Sequence, residues 1–444
     1  MSIVSRFTAT AFVMALVLIV AACSPAPAAT PGAPPARPIG EIRFLISEDP
    51  IGEAGYWQII DAFAKVQPDV KVKLENVPDD GEFLKRLAAD FAARTPPAVF
   101  VINYRRFGQF AIKGALQPID DYITKSAQFK PDDFYPTALE AFKLRGKQYC
   151  IPQNLSSLEV YYNKKLFAAA NLPMPRSGWT WDEFLRDARA LTRSTKGDGK
   201  IDQYGAGVAT STIRLAPFIW AHGGELVDNT DRPTRLTLDA GPALEAFQWF
   251  VNLQVKEHVV PSKADEATES SQSRFQHGTL GMFFQSRVIT PDLRETIKDF
   301  DWDVAPLPGD KNTVTILHSD GYCITSASQN KDAAWAFVEF ANSMQGQQVI
   351  VKSGRTVPSL KQVAESPLFL DTALAPSSSR VYLDMASGIR RVPIMTNWVE
   401  IEDVVNKEIQ RAFYGDASTN DAAQTTVKGT GEFFKQNLSD LGAP

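Results

Sequence analysis

The spacing of apolar positions from residue 41 onward predicts strands that alternate with helices. Residues 41–47 (EIRFLIS) and 70–77 (VKVKLENV) alternate apolar and polar side chains, as strands with one buried face do. Residues 52–65 and 80–93 place apolar side chains three and four positions apart, which is helical spacing. A short apolar strand follows at 98–102. This order predicts a parallel sheet with crossover helices, and therefore an α/β fold.

The rest of the chain continues the same mixture of elements. Its predicted strands are residues 205–209, 278–284, 302–306 and 321–325. Its predicted helices are residues 164–170, 180–192, 242–256, 331–344, 347–352, 399–413 and 422–437. Thr180 and Glu183 form a capping box at the start of one of them. Because 444 residues exceed what one hydrophobic core usually supports, we expect two lobes.

The first 22 residues have the pattern of a secretory signal peptide. Arg6 provides a positive start, and residues 9–22 form an apolar run that is short for a membrane-spanning helix. The run ends at Cys23 in a Val-Ala-Ala-Cys pattern that resembles a bacterial lipobox, whose cysteine is lipidated. The alternative is an ordinary cleavage site with an incidental cysteine. Residues 23–40 are mostly Ala, Pro, Gly, Ser and Thr and are predicted to be a lipid-anchored flexible linker. We therefore expect an extracytoplasmic lipoprotein that is anchored to the cell membrane.

Composition and motifs argue against several classes of function. A net charge of -5 provides no general basic character, so we expect no nucleic-acid binding. The sequence has no G-x-S-x-G or P-loop pattern, so an ATPase would have to be another chain. The four histidines lack zinc spacing, and residues 195–203 lack the acidic positions of a calcium loop. We therefore expect no metal, no cofactor and no catalytic residues.

Seven segments have a recognisable order and spacing. They are residues 144–152 (LRGKQYCIP), 161–167 (YYNKKLF), 179–184 (WTWDEF), 221–225 (AHGGE), 275–284, 319–321 and 354–358 (GRTVP). Together they resemble the family 1 extracellular solute-binding proteins, which include the maltose- and glycerol-phosphate-binding proteins. The resemblance implies a two-lobe periplasmic-binding-protein fold with a hinge and an interlobe ligand cleft. We expect lobe I to comprise 41–151 and 325–355, and lobe II 152–324 and 356–440.

The resemblance also implies a function in transport. The chain would be the substrate-binding lipoprotein of an ABC importer, not an enzyme. It would capture a sugar or polyol and deliver it to the transmembrane permease subunits, and we expect it to act as a monomer. One alternative is a secreted carbohydrate-active hydrolase that uses paired carboxylates. Another is a lipoprotein that senses its ligand instead of importing it.

A sugar site needs aromatic side chains for the apolar faces and polar groups for the hydroxyls. Strand-end positions favour some candidates, and the resemblance favours others, including Trp398 as a stacking aromatic. Arg355 would suit an anionic ligand such as a phosphate or a uronate. The candidate ligand-binding residues are Ser47, Glu48, Asn103, Ser156, Ser157, Trp220, Phe284 (with Gln285 and Ser286 beside it), Ser319, Asp320, Arg355 and Trp398. Some of these have a structural alternative: a core residue for the two tryptophans, capping for Ser156 and Ser157, a turn for Asp320 and a surface ion pair for Arg355.

Two cysteines remain in the body of the chain if Cys23 is lipidated. Spacing alone leaves open whether Cys150 and Cys323 form a bridge or are two small buried side chains. Under the resemblance they lie in adjacent hinge strands, so a disulfide between them is a hypothesis.

Overall fold

The computed structural model describes residues 38–442, which contain thirteen strands. The strands are β1 (Gly40–Ile46), β2 (Val70–Asn76), β3 (Val99–Asn103), β4 (Lys143–Leu144), β5 (Lys147–Gln148), β6 (Cys150–Pro152), β7 (Ser156–Asn163), β8 (Tyr204–Gly207), β9 (Leu280–Ser286), β10 (Trp302–Ala305), β11 (Thr315–His318), β12 (Asp320–Ile324) and β13 (Ile389–Arg390). The predicted signal peptide, Cys23 and nearly all of the predicted linker lie outside the described residues.

The helices of the described chain surround these strands. They are α1 (Pro50–Val66), α2 (Asp80–Ala92), α3 (Tyr104–Ala111), α4 (Asp120–Lys125), α5 (Pro136–Glu140), α6 (Lys164–Ala169), α7 (Trp181–Leu191), α8 (Thr212–Ala221), α9 (Gly241–Val255), α10 (Lys263–Thr268), α11 (Ser271–Gln276), α12 (Thr290–Thr296), α13 (Lys331–Ala341), α14 (Met344–Val351), α15 (Lys361–Ala364), α16 (Arg380–Asp384), α17 (Trp398–Phe413) and α18 (Thr419–Asp440). The capping box predicted for α7 is confirmed, with both Thr180 and Glu183 bonds present.

The first sheet has the predicted parallel beginning. Its strand order is β2-β1-β3-β12-β6, and β1 pairs in parallel with both β2 and β3. The crossover helices α1 and α2 connect these strands, because a parallel pair needs a long connection. β12 is antiparallel to β3 and to β6. The predicted α/β class is therefore confirmed, and the carboxyl ends of β1 and β3 lie at one edge of the sheet.

The second sheet is built around β7. β7 is antiparallel to β9, β10 and β11, while β8 and β13 extend the sheet in parallel with β9 and β11. All eight residues of β7 are buried. A strand covered on both faces has no alternating pattern, which is why the apolar spacing does not predict β7. Helices α8 and α9 pack together in this half of the molecule, and α17 and α18 pack against α9.

Adjacent chain segments join the two sheets. One segment runs from β6 through Gln153 and Asn154 into β7, and another runs from β11 through Ser319 into β12. The amide of Gln153 donates to the carbonyl of Asp320 at 2.8 Å, and the Ser319 hydroxyl donates to the carbonyl of Asn154 at 2.6 Å. The amide of Leu155 donates to the carbonyl of a third segment at Val357. The protein is thus a two-lobe fold with a hinge of several strands.

One expected boundary differs from the strand topology. The expected lobe II includes residues 152–324, yet β12 (Asp320–Ile324) is hydrogen-bonded into the first sheet. Its apolar sequence does not reveal which sheet it joins, because pairing partners are distant in the chain. The other lobe boundaries remain predictions.

The disulfide hypothesised from the resemblance is present in the structure. Cys150 on β6 and Cys323 on β12 are register partners in the first sheet, and their sulfur atoms are bonded. The bond therefore ties together the two strands at which the chain leaves and enters lobe I.

Candidate functional site

A cavity of about 200 Å³ lies where the ends of the two sheets meet at the hinge. Its lining residues come from both sheets and from the crossing segments. They are Glu48, Asn103, Gln153, Asn154, Ser156, Ser286, Val288, His318, Asp320, Arg355 and Thr356. Ten of these eleven side chains are polar or charged, so the cavity is suited to a ligand rich in hydrogen-bonding groups.

Glu48 lies directly after β1, on the wall formed by the first sheet. Its carboxylate accepts from the guanidinium of Arg355 at 3.3 Å, and Arg355 also donates to Asp49 at 2.6 Å. Burial raises the pKa of Glu48 to about 7, although the positive charge of Arg355 opposes this shift. Glu48 can therefore change its charge near neutral pH.

Asp320 lies at the start of β12 beside the end of β3. Its carboxylate accepts from the side-chain amide of Asn103 at 3.0 Å, and its backbone amide donates to the Asn154 side chain at 2.7 Å. Burial raises the pKa of Asp320, and the hydrogen bond from Asn103 opposes that effect. Since Asn103 also caps α3 through its side-chain oxygen, its orientation is held from both ends.

The floor of the cavity is the crossing segment itself. The phenol of Tyr56 donates to the side-chain oxygen of Gln153 at 2.5 Å. The side chain of Asn154 donates to the hydroxyl of Ser156 at 3.2 Å, and that hydroxyl also accepts from the amide of Val357 at 3.2 Å. These bonds give the hinge a defined set of amide and hydroxyl groups at the cavity.

The wall formed by the second sheet carries His318, Ser286 and the half-exposed Val288. Arg214 of α8 lies behind this wall: its guanidinium contacts Nε2 of His318 at 3.3 Å and donates to Gln285 at 2.5 Å. Burial, with added repulsion from Arg105, lowers the pKa of Arg214 to about 10. This wall is therefore rich in hydrogen-bond donors.

Arg105 connects the cavity region to the C-terminal helices. It donates to the side-chain oxygen of Asn103 at 3.1 Å and to the carboxylate of Glu402 at 2.6 Å. Glu402 is buried on α17 and also accepts from the indole of Trp398 at 2.8 Å. A chain of hydrogen bonds thus runs from Asp320 through Asn103 and Arg105 to Trp398.

Six of the predicted site residues line the cavity together: Glu48, Asn103, Ser156, Ser286, Asp320 and Arg355. They include the residues chosen because they follow strands β1 and β3. These residues lie together because the carboxyl ends of parallel strands meet at one edge of the sheet.

The three aromatic candidates lie elsewhere. Trp398 is 1% exposed and belongs to the core, and Phe284 packs edge-on against Phe184 with ring centroids 5.4 Å apart. Trp220 is also buried, with the guanidinium of Arg390 4.7 Å above its ring. The expectation of a stacking aromatic is therefore not met here: none of the eleven lining residues in the described chain is Phe, Tyr or Trp.

Three serine candidates are also occupied with structural contacts. Ser157 donates to the buried Glu159, and Ser319 donates to the carbonyl of Asn154. The hydroxyl of Ser47 donates to Asp80 at 3.1 Å. None of the three lines the cavity. Their hydroxyls satisfy local partners, which is the structural alternative considered for serine.

Several lining residues were not predicted. Gln153 and Asn154 directly follow Pro152, at which the predicted crossing strand ends, so that position was an available signal. His318 directly precedes the predicted Ser319, but no local pattern distinguishes it. Thr356 lies in the recognised segment 354–358, beside the predicted Arg355, so that position was also an available signal. Val288 has no sequence signal, because only tertiary packing brings it to the cavity.

A larger hollow of about 510 Å³ lies between residues 140–146, 230–232 and 391–394. Most of its polar lining residues are exposed, and it contains none of the predicted site residues. The smaller cavity at the hinge has buried polar side chains from both sheets, so we regard it as the candidate site.

Comparison with known proteins agrees with this geometry. The sequence profile described as bacterial extracellular solute-binding protein matches residues 49–348, which is more than half of the chain. The chain belongs to this family. Among the helices of residues 38–442, none is at once long and apolar enough to cross a bilayer.

Individual relatives cover most of the chain. A protein of Brucella abortus (strain 2308), described as a binding protein, is 26% identical over 86% of this chain and 92% of its own length. The diacetylchitobiose-binding protein DasA of Streptomyces coelicolor is 25% identical over 82% of this chain and 83% of its own. The ABC substrate-binding protein Lmo0181 of Listeria monocytogenes, solved with cycloalternan, has a TM-score of 0.79 at 23% identity and covers 91% of this chain and 99% of its own. The last similarity shows the shared fold.

Proposed function

We propose that this protein captures a sugar or polyol in the hinge cavity and delivers it to the transmembrane subunits of an ABC importer. The observation that carries the proposal is the small polar cavity between the two lobes, with acids, amides, hydroxyls and an arginine on its walls. Carboxylates accept from sugar hydroxyls, while amides both donate and accept. The ligands of the relatives, which include diacetylchitobiose and cycloalternan, support a carbohydrate.

The size of the cavity favours a small ligand. Pockets for drug-sized molecules usually exceed about 300 Å³, whereas this cavity has about 200 Å³. We therefore expect a molecule of about one sugar ring to be enclosed. A longer ligand would need the lobes to separate further, which a hinge of crossing strands allows.

The proposal includes a lipid anchor at Cys23. Cys23 would carry the lipid that holds the protein at the cell membrane beside the permease. Replacing it (Cys23→Ser) should move the protein from the membrane fraction to the soluble extracytoplasmic fraction. Unchanged fractionation, with no fatty acid detected on the wild-type chain by mass spectrometry, would contradict the anchor.

Binding is tested with a panel of neutral sugars, uronates, polyols and sugar phosphates. A ligand that binds only the folded protein raises its melting temperature, and calorimetry should then give one site per chain with the ligand recovered unchanged. Conversion of the ligand into product would instead favour the hydrolase.

Two variants test the location of the site. Asn103→Ala should weaken binding because it removes a lining amide. The matched control is Arg391→Ala, in the larger hollow, which should leave affinity unchanged. The opposite result would move the site to the larger hollow, and failure of every compound would overturn the proposed ligand class.

A further inference from the structure

Arg214 is a buried cation whose partners are all neutral. Its residue is 6% exposed, and it contacts the ring nitrogen of His318 and the side-chain oxygen of Gln285. Within residues 38–442, no Asp or Glu oxygen lies within 4.0 Å of its guanidinium nitrogens. Its Nε atom is also buried without a hydrogen-bond partner. A buried charge without a counter-ion is costly, so a compensating group is expected.

Other buried arginines of the described chain are compensated from within the protein. The guanidinium of Arg287 lies 4.5 Å from the ring centre of Phe369 and 5.1 Å from that of Tyr382. Arg274 lies 3.5 Å from the carboxylate of Glu269. Arg214 has neither kind of partner, and the positive charge of Arg105 repels it. Arg287 also has a buried Nε without a partner, but of these three arginines only Arg214 lies beside the cavity and lacks both an aromatic and a carboxylate partner in the described chain.

His318 places a second open donor at the same wall. Because Nε2 of His318 accepts from Arg214, the proton of the neutral ring is on Nδ1. That Nδ1 is buried and has no partner in the described chain. His318 lines the cavity, as does Ser286, which follows the Gln285 that holds Arg214. An orphan donor and an uncompensated cation thus lie together on the second-sheet wall.

The acids of the opposite wall do not fill this role. Glu48 is paired with Arg355, and Asp320 accepts from Asn103 on the first-sheet side. Both remain able to accept hydrogen bonds from hydroxyl groups of a ligand. The two walls together therefore suit a molecule with hydroxyls at one end and negative charge at the other.

We propose that the ligand is a polyhydroxylated acid of about one sugar ring, whose anionic group accepts from Nδ1 of His318 and takes Arg214 as its counter-ion. This inference rests on the proposed function and narrows it. The anionic group is a carboxylate, as in a uronate, or a phosphate ester, since both offer the same kind of oxygen. The hydroxyls face Glu48 and Asp320.

The first test compares matched ligands by calorimetry on the wild-type protein. Each neutral hexose is paired with its uronate and with its 6-phosphate. We expect at least one acid to bind tenfold or more tightly than its neutral parent, and the better of the two acids identifies the anionic group. A neutral hexose that binds as tightly as both of its acids would overturn this inference while leaving the proposed function intact. Failure of all the compounds would overturn both.

The second test places a carboxylate of the protein itself beside Arg214, so that Arg214 no longer needs the ligand as its counter-ion. Gln285→Glu keeps an acceptor beside Arg214 and adds a negative charge, so the variant should fold and should have a melting temperature at least equal to that of the wild type. Its affinity for the acid should fall at least tenfold, with any affinity for the neutral parent changed less than twofold.

The matched control adds the same charge elsewhere. Gln58 is exposed on α1 and away from the cavity, so Gln58→Glu should leave affinity for the acid within twofold of the wild type. Equal affinity of Gln285→Glu and the wild type for the acid would overturn the role of Arg214. A similar fall in affinity for the acid in both variants would mean that overall charge causes the effect. That result would also overturn the role of Arg214.

Discussion

The two walls of the hinge cavity differ in how their charged groups are neutralised. On the first-sheet wall, Glu48 is paired with Arg355, and Asp320 accepts from Asn103. Behind the second-sheet wall, Arg214 has only neutral partners. A wall whose polar groups are already satisfied is held in place before the ligand arrives, which lowers the ordering cost of binding. A wall with open donors gains most from the ligand, so it has the stronger influence on which ligand is chosen.

The two sheets that carry these walls also differ in how they are cross-linked. The disulfide between Cys150 and Cys323 joins β6 to β12, and β12 begins with Asp320. The described part of the second sheet has no covalent cross-link. Lobe I thus provides the more rigid support, and the following predictions test that contrast in order of expected effect.

The largest effect is expected from removing the disulfide. The bond closes a chain segment with a sequence separation of 173, and a cross-link stabilises mainly by restricting the unfolded chain. Cys150→Ala with Cys323→Ala should lower the free energy of unfolding by about 2–4 kcal/mol, measured by urea denaturation. Reductant should lower the stability of the wild type but not that of the double variant. If the wild type and the double variant are equally stable without reductant, the disulfide does not make lobe I the more rigid support.

Removing an acid from the first-sheet wall should weaken binding by a similar amount. Asp320→Ala deletes a charged acceptor and leaves the amide of Asn103 without its partner, so affinity should fall by about 2–3 kcal/mol, measured by calorimetry. Asp80→Ala is the control, because Asp80 is an exposed acid of the same lobe that does not line the cavity. Similar losses in both variants would mean that net charge, and not a wall contact, determines affinity.

The titration of Glu48 should make stability depend on pH. Its pKa is raised from 4.5 to about 7 in the folded protein, so the unfolded chain loses its proton first as pH rises. The free energy of unfolding should therefore fall between about pH 4.5 and 7, by about 3 kcal/mol, and level off above that range. Glu48→Gln should lack this component. Burial also raises the pKa of Glu159, to about 8, so the difference between wild type and variant is the quantity to follow.

The smallest effect is expected at Trp398, which lies outside both walls. Trp398→Phe removes the indole donor to the buried carboxylate of Glu402 and keeps an aromatic ring in the core. We expect the free energy of unfolding to fall by about 1 kcal/mol, measured by urea denaturation, with less than a threefold change in ligand affinity. A large loss of affinity with unchanged stability would instead indicate that Trp398 stacks on the ligand.

Local patterns in the sequence determined the class of the fold and two residues of the first-sheet wall, Glu48 and Asn103. Alternation and helical spacing over residues 41–102 predict the parallel βαβ order, and the capping box at Thr180 fixes where α7 begins. The apolar spacing and the capping box each involve residues that are close together in the chain, so both can be identified from the sequence. Glu48 and Asn103 could be identified because they lie at the carboxyl ends of β1 and β3, two parallel strands of one sheet, and such ends meet at one edge.

Only the tertiary structure decided the second wall and the place of the aromatic residues. Arg214 and His318 are separated by 104 positions in the chain and meet through packing of α8 beside β11. Trp398 has the same local sequence whether its ring stacks on a ligand or fills the core, because burial depends on the helices around it. Contacts between distant segments leave no periodicity in the sequence, and so the charge imbalance next to the cavity could be seen only in the tertiary structure.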